Sequence, residues 1–238
     1  MTSSAAFRPN PHARVALRRL GREGLPLAII DDAFLDPEAL VREAEAATFV
    51  QPSRTVYPGL NAPPPAGYGG MLIQVLRPLL DQVFGVPMNV PLLPSSFFAL
   101  ATAAPETLDP VQKVPHHDSS DPFIFATVHF LCRGEQGGTA FYRHVPTGYE
   151  YVDAERVGDY APRMRQEVAA RPNPAHAGRD TPNYELIDEA SAVFNRVVLY
   201  RSISLHSGLL GQSSLSPDPR TGRLTLNTII SPPPVRRA

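Results

Sequence analysis

The stretch PHHDSSDPFIFATVHFL, residues 115–131, predicts more about the fold than any other part of the chain. It begins with the triplet His116-His117-Asp118 and continues into an aromatic and β-branched run that is typical of a buried strand. Because a β-strand directs residues i and i+2 to one face, an extended triplet would point His116 and Asp118 together and His117 away. The predicted strands here are Val111 to Asp118 and Phe123 to Cys132.

His116 and Asp118 can form a metal site with a distant histidine, His206. Two imidazoles and one carboxylate cover one face of an octahedron, which leaves positions open for a chelating co-substrate and dioxygen. This ligand set is typical of non-haem iron(II) oxygenases. We therefore predict that His116, Asp118 and His206 are the catalytic iron ligands.

The order of later motifs supports this prediction more strongly than the triplet does. A chain with 7 histidines can contain an HxD triplet by coincidence. Here the triplet is followed in order by the glycine turn at Gly137-Gly138, a strand ending near Arg201, His206, and an alternating strand that begins at Arg223. A chance origin for the whole series is much less plausible.

The final predicted strand, Arg223 to Ser231, carries a candidate carboxylate clamp. Arg223, Thr225 and Asn227 alternate along it and share one face. A guanidinium offers a planar fork to a carboxylate, and the Thr225 hydroxyl can add a hydrogen bond. Arg220 is the competing candidate, but it lies in a turn-forming segment. We expect Arg223 and Thr225 to bind a dicarboxylate co-substrate.

His129 is a further candidate for co-substrate binding. It shares a strand face with Thr127 and Leu131. That pattern fits contact with the co-substrate pocket or support of a metal ligand. It fits equally well a hydrogen-bonded histidine inside a barrel.

These motifs resemble those of the 2-oxoglutarate and iron(II)-dependent oxygenases, nearest in pattern to the prolyl 4-hydroxylase-like branch. The resemblance covers most of the chain, although the 17 positions between His206 and Arg223 are more than is usual in that family. The segments that carry it are PHHDSSD from Pro115, ATVHFL from Ala126, GGTAF ending at Phe141, VVLYRSISLHSG from Val197, GRLTLN from Gly222, and LAIIDDAFLDPEAL from Leu27.

The resemblance implies a mainly β fold with flanking helices: a double-stranded β-helix, or jelly-roll and cupin-like barrel, with N-terminal helices packed outside. It also implies iron(II), 2-oxoglutarate and dioxygen, with hydroxylation of a C–H bond in a small-molecule, amino acid or peptidyl substrate. Asp118 argues against halogenation, because the family's halogenases carry a small residue there. Two alternatives stay open: a cupin-type metalloenzyme that does not use 2-oxoglutarate, and a catalytically silent β-helix binding module.

Composition narrows the partners and the compartment. With 22 basic and 23 acidic residues, the charge gives no reason to expect a nucleic acid or an anionic membrane as partner. The single cysteine, Cys132, excludes an intrachain disulfide and a cysteine-based zinc site. No segment approaches the roughly 20 apolar residues of a membrane span. We expect a cytoplasmic protein without a leader.

The remaining pattern predicts one domain over residues 25–238, after a polar lead at 1–24 and with an insertion at about 145–190. Asp36 and Pro37 are typical of a helix start, and the proline-rich stretch 52–70 predicts a loop. Further predicted strands are Leu25–Ile30, Ser95–Ala103, Thr139–Arg143 and Ala192–Ser202, and further predicted helices are Met71–Phe84 and Asp159–Ala170.

Overall fold

The computed structural model of the chain describes residues 7–52, 57–213 and 215–233, which form ten β-strands and three α-helices. The strands are β1 (Arg14–Leu20), β2 (Leu25–Asp31), β3 (Gly59–Ala62), β4 (Leu93–Ala101), β5 (Phe125–Phe130), β6 (Thr139–His144), β7 (Tyr184–Ala190), β8 (Arg196–Arg201), β9 (His206–Gly208) and β10 (Leu224–Ser231). The helices are α1 (Pro37–Ala46), α2 (Tyr68–Gln82) and α3 (Val157–Ala170). The predicted mainly β fold with flanking helices is confirmed.

The strands form two antiparallel sheets. The large sheet has the order β1-β2-β8-β5-β10-β4-β3, and the small sheet has the order β7-β6-β9. Strand pairing within the described ranges does not join them into one closed barrel. The sheets meet through side chains, as where the rings of Phe141 and Tyr200 pack edge to face with centroids 5.0 Å apart.

Helices α1 and α2 cover one face of the large sheet. The Asp36 side chain accepts a hydrogen bond from the Ala39 backbone N–H and so caps α1, as its position before Pro37 predicts. In α2, Leu72, Leu76 and Leu80 are fully buried against this face. The opposite face of the large sheet, called the inner face below, is turned towards the small sheet.

Helix α3 of the segment predicted as an insertion packs on the outside of the small sheet, while β7 of the same segment is one of that sheet's strands. Tyr160 and Val168 of α3 share a buried cluster with Tyr142 and Tyr184. The Tyr160 and Tyr184 hydroxyls are 2.8 Å apart. No helix among the described residues is long and apolar enough to cross a membrane.

The predicted strand from Val111 to Asp118 is wrong. Residues Pro110–Lys113 form a 3-10 turn, and His116 makes only an isolated bridge with His206. Prolines at 110 and 115 have no N–H for a strand ladder. In addition, the Asp109 side chain accepts from the Gln112 backbone in a capping box. The extended structure on which the prediction for His116 and Asp118 was based is therefore not formed.

Four strands, β1, β3, β7 and β9, were not predicted from the sequence, and β9 has only 3 residues. β1 lies within the polar lead and exposes nearly all of its side chains, so it has no apolar alternation. β3 has 4 residues and lies in the proline-rich stretch. β7 is rich in acidic residues and lies inside the insertion.

Candidate metal centre

Three predicted ligands come together at one edge of the gap between the sheets. One ligand atom each from His116, Asp118 and His206 lies within 4.8 Å of the other two. The Nε2 atoms of His116 and His206 are 3.6 and 3.5 Å from the two carboxylate oxygens of Asp118. The imidazole centroids are 4.5 Å apart. A divalent cation could be held by all three side chains after small rotamer adjustments.

Backbone hydrogen bonds fix these side chains although no regular strand carries the HxD triplet. The N–H groups of His116 and His206 donate to each other's carbonyl oxygens at 2.9 and 2.8 Å. The Asp118 N–H donates to the carbonyl oxygen of Ser202 at 2.9 Å. These backbone hydrogen bonds hold His116 and Asp118 in place, as the predicted strand was expected to do.

The protonation states favour metal binding at neutral pH. His206 Nδ1 lies 2.9 Å from the Ser204 carbonyl oxygen, so Nδ1 is the donor and Nε2 keeps its lone pair. Burial lowers the pKa of His206 to about 4, with Asp118 acting in the opposite direction. Burial would raise the pKa of Asp118, but His206 and His116 outweigh it and the pKa falls to about 2. A neutral imidazole and an ionised carboxylate are the forms that bind metals.

His117 points away from this cluster, as the sequence predicted. Its ring packs edge-on against Tyr160 with centroids 6.0 Å apart. Its Nε2 lies 3.4 Å from the Ser120 hydroxyl oxygen. Burial, then repulsion by His116, lowers the pKa of His117.

A cavity of about 160 Å³ lies between the sheets beside the three ligands. The inner face of the large sheet forms one wall, and β9 with its neighbouring loops forms another. Its lining includes the three ligands and Tyr57, Phe97, Val111, Gln112, Val128, His176, Ala177, Tyr200, Ser207, Gly208, Arg223, Asn227 and Ile229.

Arg223 lines the same cavity with its guanidinium fixed by backbone oxygens. Only 4% of the residue is exposed. Its Nε donates to the carbonyl oxygen of Gly137 at 2.6 Å, and one Nη donates to that of Gly138 at 3.0 Å. Within the described ranges, no carboxylate forms an ion pair with it. A buried cation without a counter-ion is costly, so this guanidinium is suited to bind an anion.

Gly137 and Gly138, beside Arg223, are required for close packing. A Cβ on Gly137 would lie 1.3 Å from the Leu209 carbonyl oxygen, and one on Gly138 would lie 2.1 Å from that of Ala190. A Cβ on Gly208, in contrast, would make an ordinary contact at 3.5 Å from an Arg223 Nη, so Gly208 is not required in this way. The Gly137-Gly138 turn therefore brings two carbonyl oxygens to the guanidinium at a place where no side chain fits.

The other two clamp candidates lie in different places. Thr225 is fully buried. Burial raises the pKa of the Tyr57 phenol, and the Arg223 guanidinium and the Thr225 hydroxyl partly offset this rise. Arg220, in contrast, has 70% of its side chain exposed and forms a surface ion pair with Glu45 of α1. Among the two arginines, only Arg223 lines the cavity.

The structure does not bring His129 to the cavity. Its side chain lies on the helix side of the large sheet, with its ring roughly parallel to those of Phe34 and Tyr68 and centroids 5.2 and 6.1 Å away. Nδ1 is 3.1 Å from the Tyr68 hydroxyl, and Nε2 is 3.2 Å from Asn195 Oδ1. Burial lowers the pKa of His129 to about 4. This placement agrees with the alternative interpretation of His129 as a hydrogen-bonded structural histidine.

Sequence reasoning gave no role to Tyr200, which lines the cavity and interacts with both the candidate metal ligands and Arg223. Its ring packs against His206 with centroids 4.8 Å apart. Burial and the Asp118 carboxylate raise its pKa well above the usual value, and Arg223 acts in the opposite direction. The signal available in the sequence was its alternation with Val198 on the strand that precedes His206.

Fold and site together define a mainly β protein of two sheets with a candidate His-Asp-His metal centre. Residues 11–230 match the family model described as "Family of unknown function (DUF6445)". The chain therefore belongs to that family. No curated protein matches it.

Several solved structures are similar to the chain at low identity. HygX from Streptomyces hygroscopicus with nickel, 2-oxoglutarate and hygromycin B bound has a TM-score of 0.48 and 12% identity, over 87% of this chain and 83% of that one. HygX with iron bound has a TM-score of 0.47 and 14% identity, over 90% and 88%. The non-haem α-ketoglutarate-dependent epimerase SnoN from nogalamycin biosynthesis has a TM-score of 0.43 and 10% identity, over 87% and 77%. Because each TM-score lies below 0.5, only the chain's own residues support a functional proposal.

Proposed function

We propose that the protein is an iron(II) and 2-oxoglutarate-dependent oxygenase built on a double-stranded β-helix of the prolyl 4-hydroxylase-like kind. The observation that carries this proposal is the pairing of two features in one cavity. One is the His116, Asp118 and His206 cluster, and the other is the buried Arg223 without a carboxylate partner in the described ranges. A metal centre and an anion site side by side match a co-substrate that chelates at one end and carries a carboxylate at the other.

The donor set fits iron(II). Two neutral imidazoles and one carboxylate form the facial set that leaves coordination positions open, and thiolates, which would favour zinc or copper(I), are absent from the cluster. The hydrogen bond from His206 Nδ1 to the Ser204 carbonyl oxygen fixes the orientation of the imidazole, as is usual for metal-binding histidines. When bound, the iron would activate dioxygen for the oxidative decarboxylation of 2-oxoglutarate and the oxidation of a substrate C–H bond.

The clamp residues would bind the far carboxylate of 2-oxoglutarate. Arg223 uses two of its five N–H donors on Gly137 and Gly138, so the remaining donors are left for an anion. Thr225 and Tyr57 place hydroxyl groups beside the guanidinium. Because the guanidinium is already fixed by the backbone, little side-chain entropy is lost when the anion binds.

Hydroxylation of a small-molecule or peptidyl substrate is the proposed reaction. Asp118 fills the position that a halide would need as a ligand, so halogenation is not proposed. The proposed unit is one domain over residues 25–238, to which β1 of the polar lead adds an edge strand through its pairing with β2. Within the insertion at 145–190, α3 covers the outside of the small sheet, β7 is one of that sheet's strands, and His176 and Ala177 line the cavity.

The test is substrate-independent conversion of 2-oxoglutarate to succinate by the iron-loaded protein. Wild type and His117→Ala should form succinate, and His206→Ala should not. Arg223→Ala should lose turnover at low 2-oxoglutarate concentration. Full turnover by Arg223→Ala at every concentration would favour a metalloenzyme that does not use 2-oxoglutarate, and no turnover by the wild type would favour a binding module.

A further inference from the structure

We infer that the part of the substrate that reaches the metal centre is uncharged and mainly hydrocarbon. The inference rests on the proposed function, because that proposal assigns Asp118 to the metal and Arg223 to the co-substrate. It narrows the substrate class. A free amino acid, which carries an ammonium and a carboxylate close to each reacting carbon, is not expected to bind in this cavity.

The first argument is the distribution of charge around the cavity. Apart from its histidines, the described lining contains two formally charged side chains, Asp118 and Arg223. Once a metal and a dicarboxylate engage them, the wall has no carboxylate or guanidinium left for the substrate. An ion placed in this cavity would lose its hydration without gaining a partner.

The second argument is that several uncharged polar groups of the wall are already bonded to the protein's own backbone. The engaged groups are Gln112 Oε1, which accepts from Asp109 N at 2.9 Å, His176 Nε2, which donates to Ala103 O at 3.0 Å, and Ser207 Oγ, which donates to Gly208 O at 3.3 Å. Asn227 Oδ1 differs, because it is buried and has no hydrogen-bond partner among the described residues. Tyr200 and Thr139 also line the cavity, so the wall offers a substrate hydroxyl or N–H group neutral hydrogen-bonding partners and no ionic one beyond Asp118 and Arg223.

The third argument is the apolar character of the mouth. Val111, on the 3-10 turn at Pro110–Lys113, lines the cavity and is 42% exposed, so it lies at the entrance. Pro58, Phe97 and Ala177 line the cavity as well. A mainly apolar wall with a few neutral hydrogen-bonding groups fits a hydrocarbon skeleton that carries neutral polar substituents.

The test compares three probes of one size: benzyl alcohol, benzoate and benzylammonium. Each is titrated anaerobically into the protein loaded with iron(II) and saturating 2-oxoglutarate, and the shift of the visible charge-transfer band is followed. We expect benzyl alcohol to give half of the maximal shift at a concentration about tenfold or more below that of either ion.

A charge placed at the mouth should reverse this preference. Val111→Glu should lower the half-maximal concentration of benzylammonium about tenfold, because it supplies the missing counter-ion. Val193→Glu is the matched control, since Val193 is 43% exposed and lies outside the cavity lining.

The inference is overturned if either ion shifts the band as readily as benzyl alcohol, if benzyl alcohol gives no shift, or if Val111→Glu leaves the order unchanged. In all three cases the band itself is present, so the proposed function stands. Absence of the band before any probe is added overturns the proposed function and this inference together.

Discussion

The Nε atom of Arg223 donates a hydrogen bond to the carbonyl oxygen of Gly137 at 2.6 Å, and this contact joins the last strand to the turn before β6. The contact sets the direction of the guanidinium before any anion arrives. The proposed anion site is thus a guanidinium that backbone oxygens hold on one side and that is open to the cavity on the other.

Arg223→Lys should weaken 2-oxoglutarate binding without affecting metal binding. A lysine keeps the charge but cannot reach two carbonyl oxygens and a carboxylate with a planar fork. Loss of one or two charge-assisted hydrogen bonds predicts a rise in Kd of about 10- to 100-fold. Anaerobic calorimetric titration of 2-oxoglutarate measures it.

Arg220→Lys is the control for that experiment, because Arg220 pairs with Glu45 at the surface. Its Kd for 2-oxoglutarate should match that of the wild type. A larger effect at Arg220 than at Arg223 would contradict the assignment of the clamp.

Gly137→Ala should destabilise the fold. The added Cβ would lie 1.3 Å from the Leu209 carbonyl oxygen, so the turn or β9 must move. We expect a loss of about 1–3 kcal/mol in the free energy of unfolding, measured by urea denaturation. Gly178→Ala is the matched control, since the nearest atom to its Cβ would be 3.8 Å away. Equal stability of the two variants would show that the turn is not tightly packed.

Asp118→Asn should remove most of the stabilisation by iron(II). A metal that binds only the folded state adds about 2.7 kcal/mol when its concentration is about 100 times Kd. Replacing the anionic ligand should weaken binding by more than the roughly 10- to 100-fold that is usual for residues that only support a ligand. Anaerobic scanning calorimetry should show a metal-dependent rise in Tm for wild type and for His117→Asn, and almost none for Asp118→Asn. A full rise in Asp118→Asn would exclude this carboxylate as a ligand.

His129 should make the protein sensitive to acid between pH 6.5 and 4. Its pKa is lowered from 6.5 to about 4 in the folded protein by burial, so over this range the unfolded chain binds a proton that the folded chain does not. Stability therefore falls as pH falls, by about 1.4 kcal/mol per pH unit for one proton.

His129→Gln should reduce the pH dependence of the free energy of unfolding below pH 6.5 by the amount expected for about one proton. It should leave the pH dependence above pH 7 unchanged. Urea denaturation at a series of pH values measures both. An unchanged slope below pH 6.5 would mean that His129 is not buried in its neutral form.

Residue identity and order predicted the candidate metal cluster better than local structure did. His116, Asp118 and His206 were predicted on the basis of an extended HxD triplet, yet a 3-10 turn and a single bridge hold the triplet in place. The cluster forms because the reciprocal backbone bonds of His116 and His206 act over 90 positions, which no local pattern encodes.

Alternation predicted the inner face of β10 but not the face of β5. Both strands alternate, and the sequence does not say which alternate set faces the cavity. For β10, the charge of Arg223 decides which set faces the cavity, because a guanidinium is more easily accommodated beside a polar cavity than under two helices. For β5 a neutral histidine fits either side, and the packing of Phe34 and Tyr68 places His129 under the helices.

The most direct test is the visible spectrum of the protein after anaerobic addition of iron(II) and then 2-oxoglutarate. A weak charge-transfer band should appear at saturating 2-oxoglutarate, should be absent in His206→Ala, and in Arg223→Lys should need a higher 2-oxoglutarate concentration. No band in the wild-type protein, or the same titration curve for wild type and Arg223→Lys, would contradict the account.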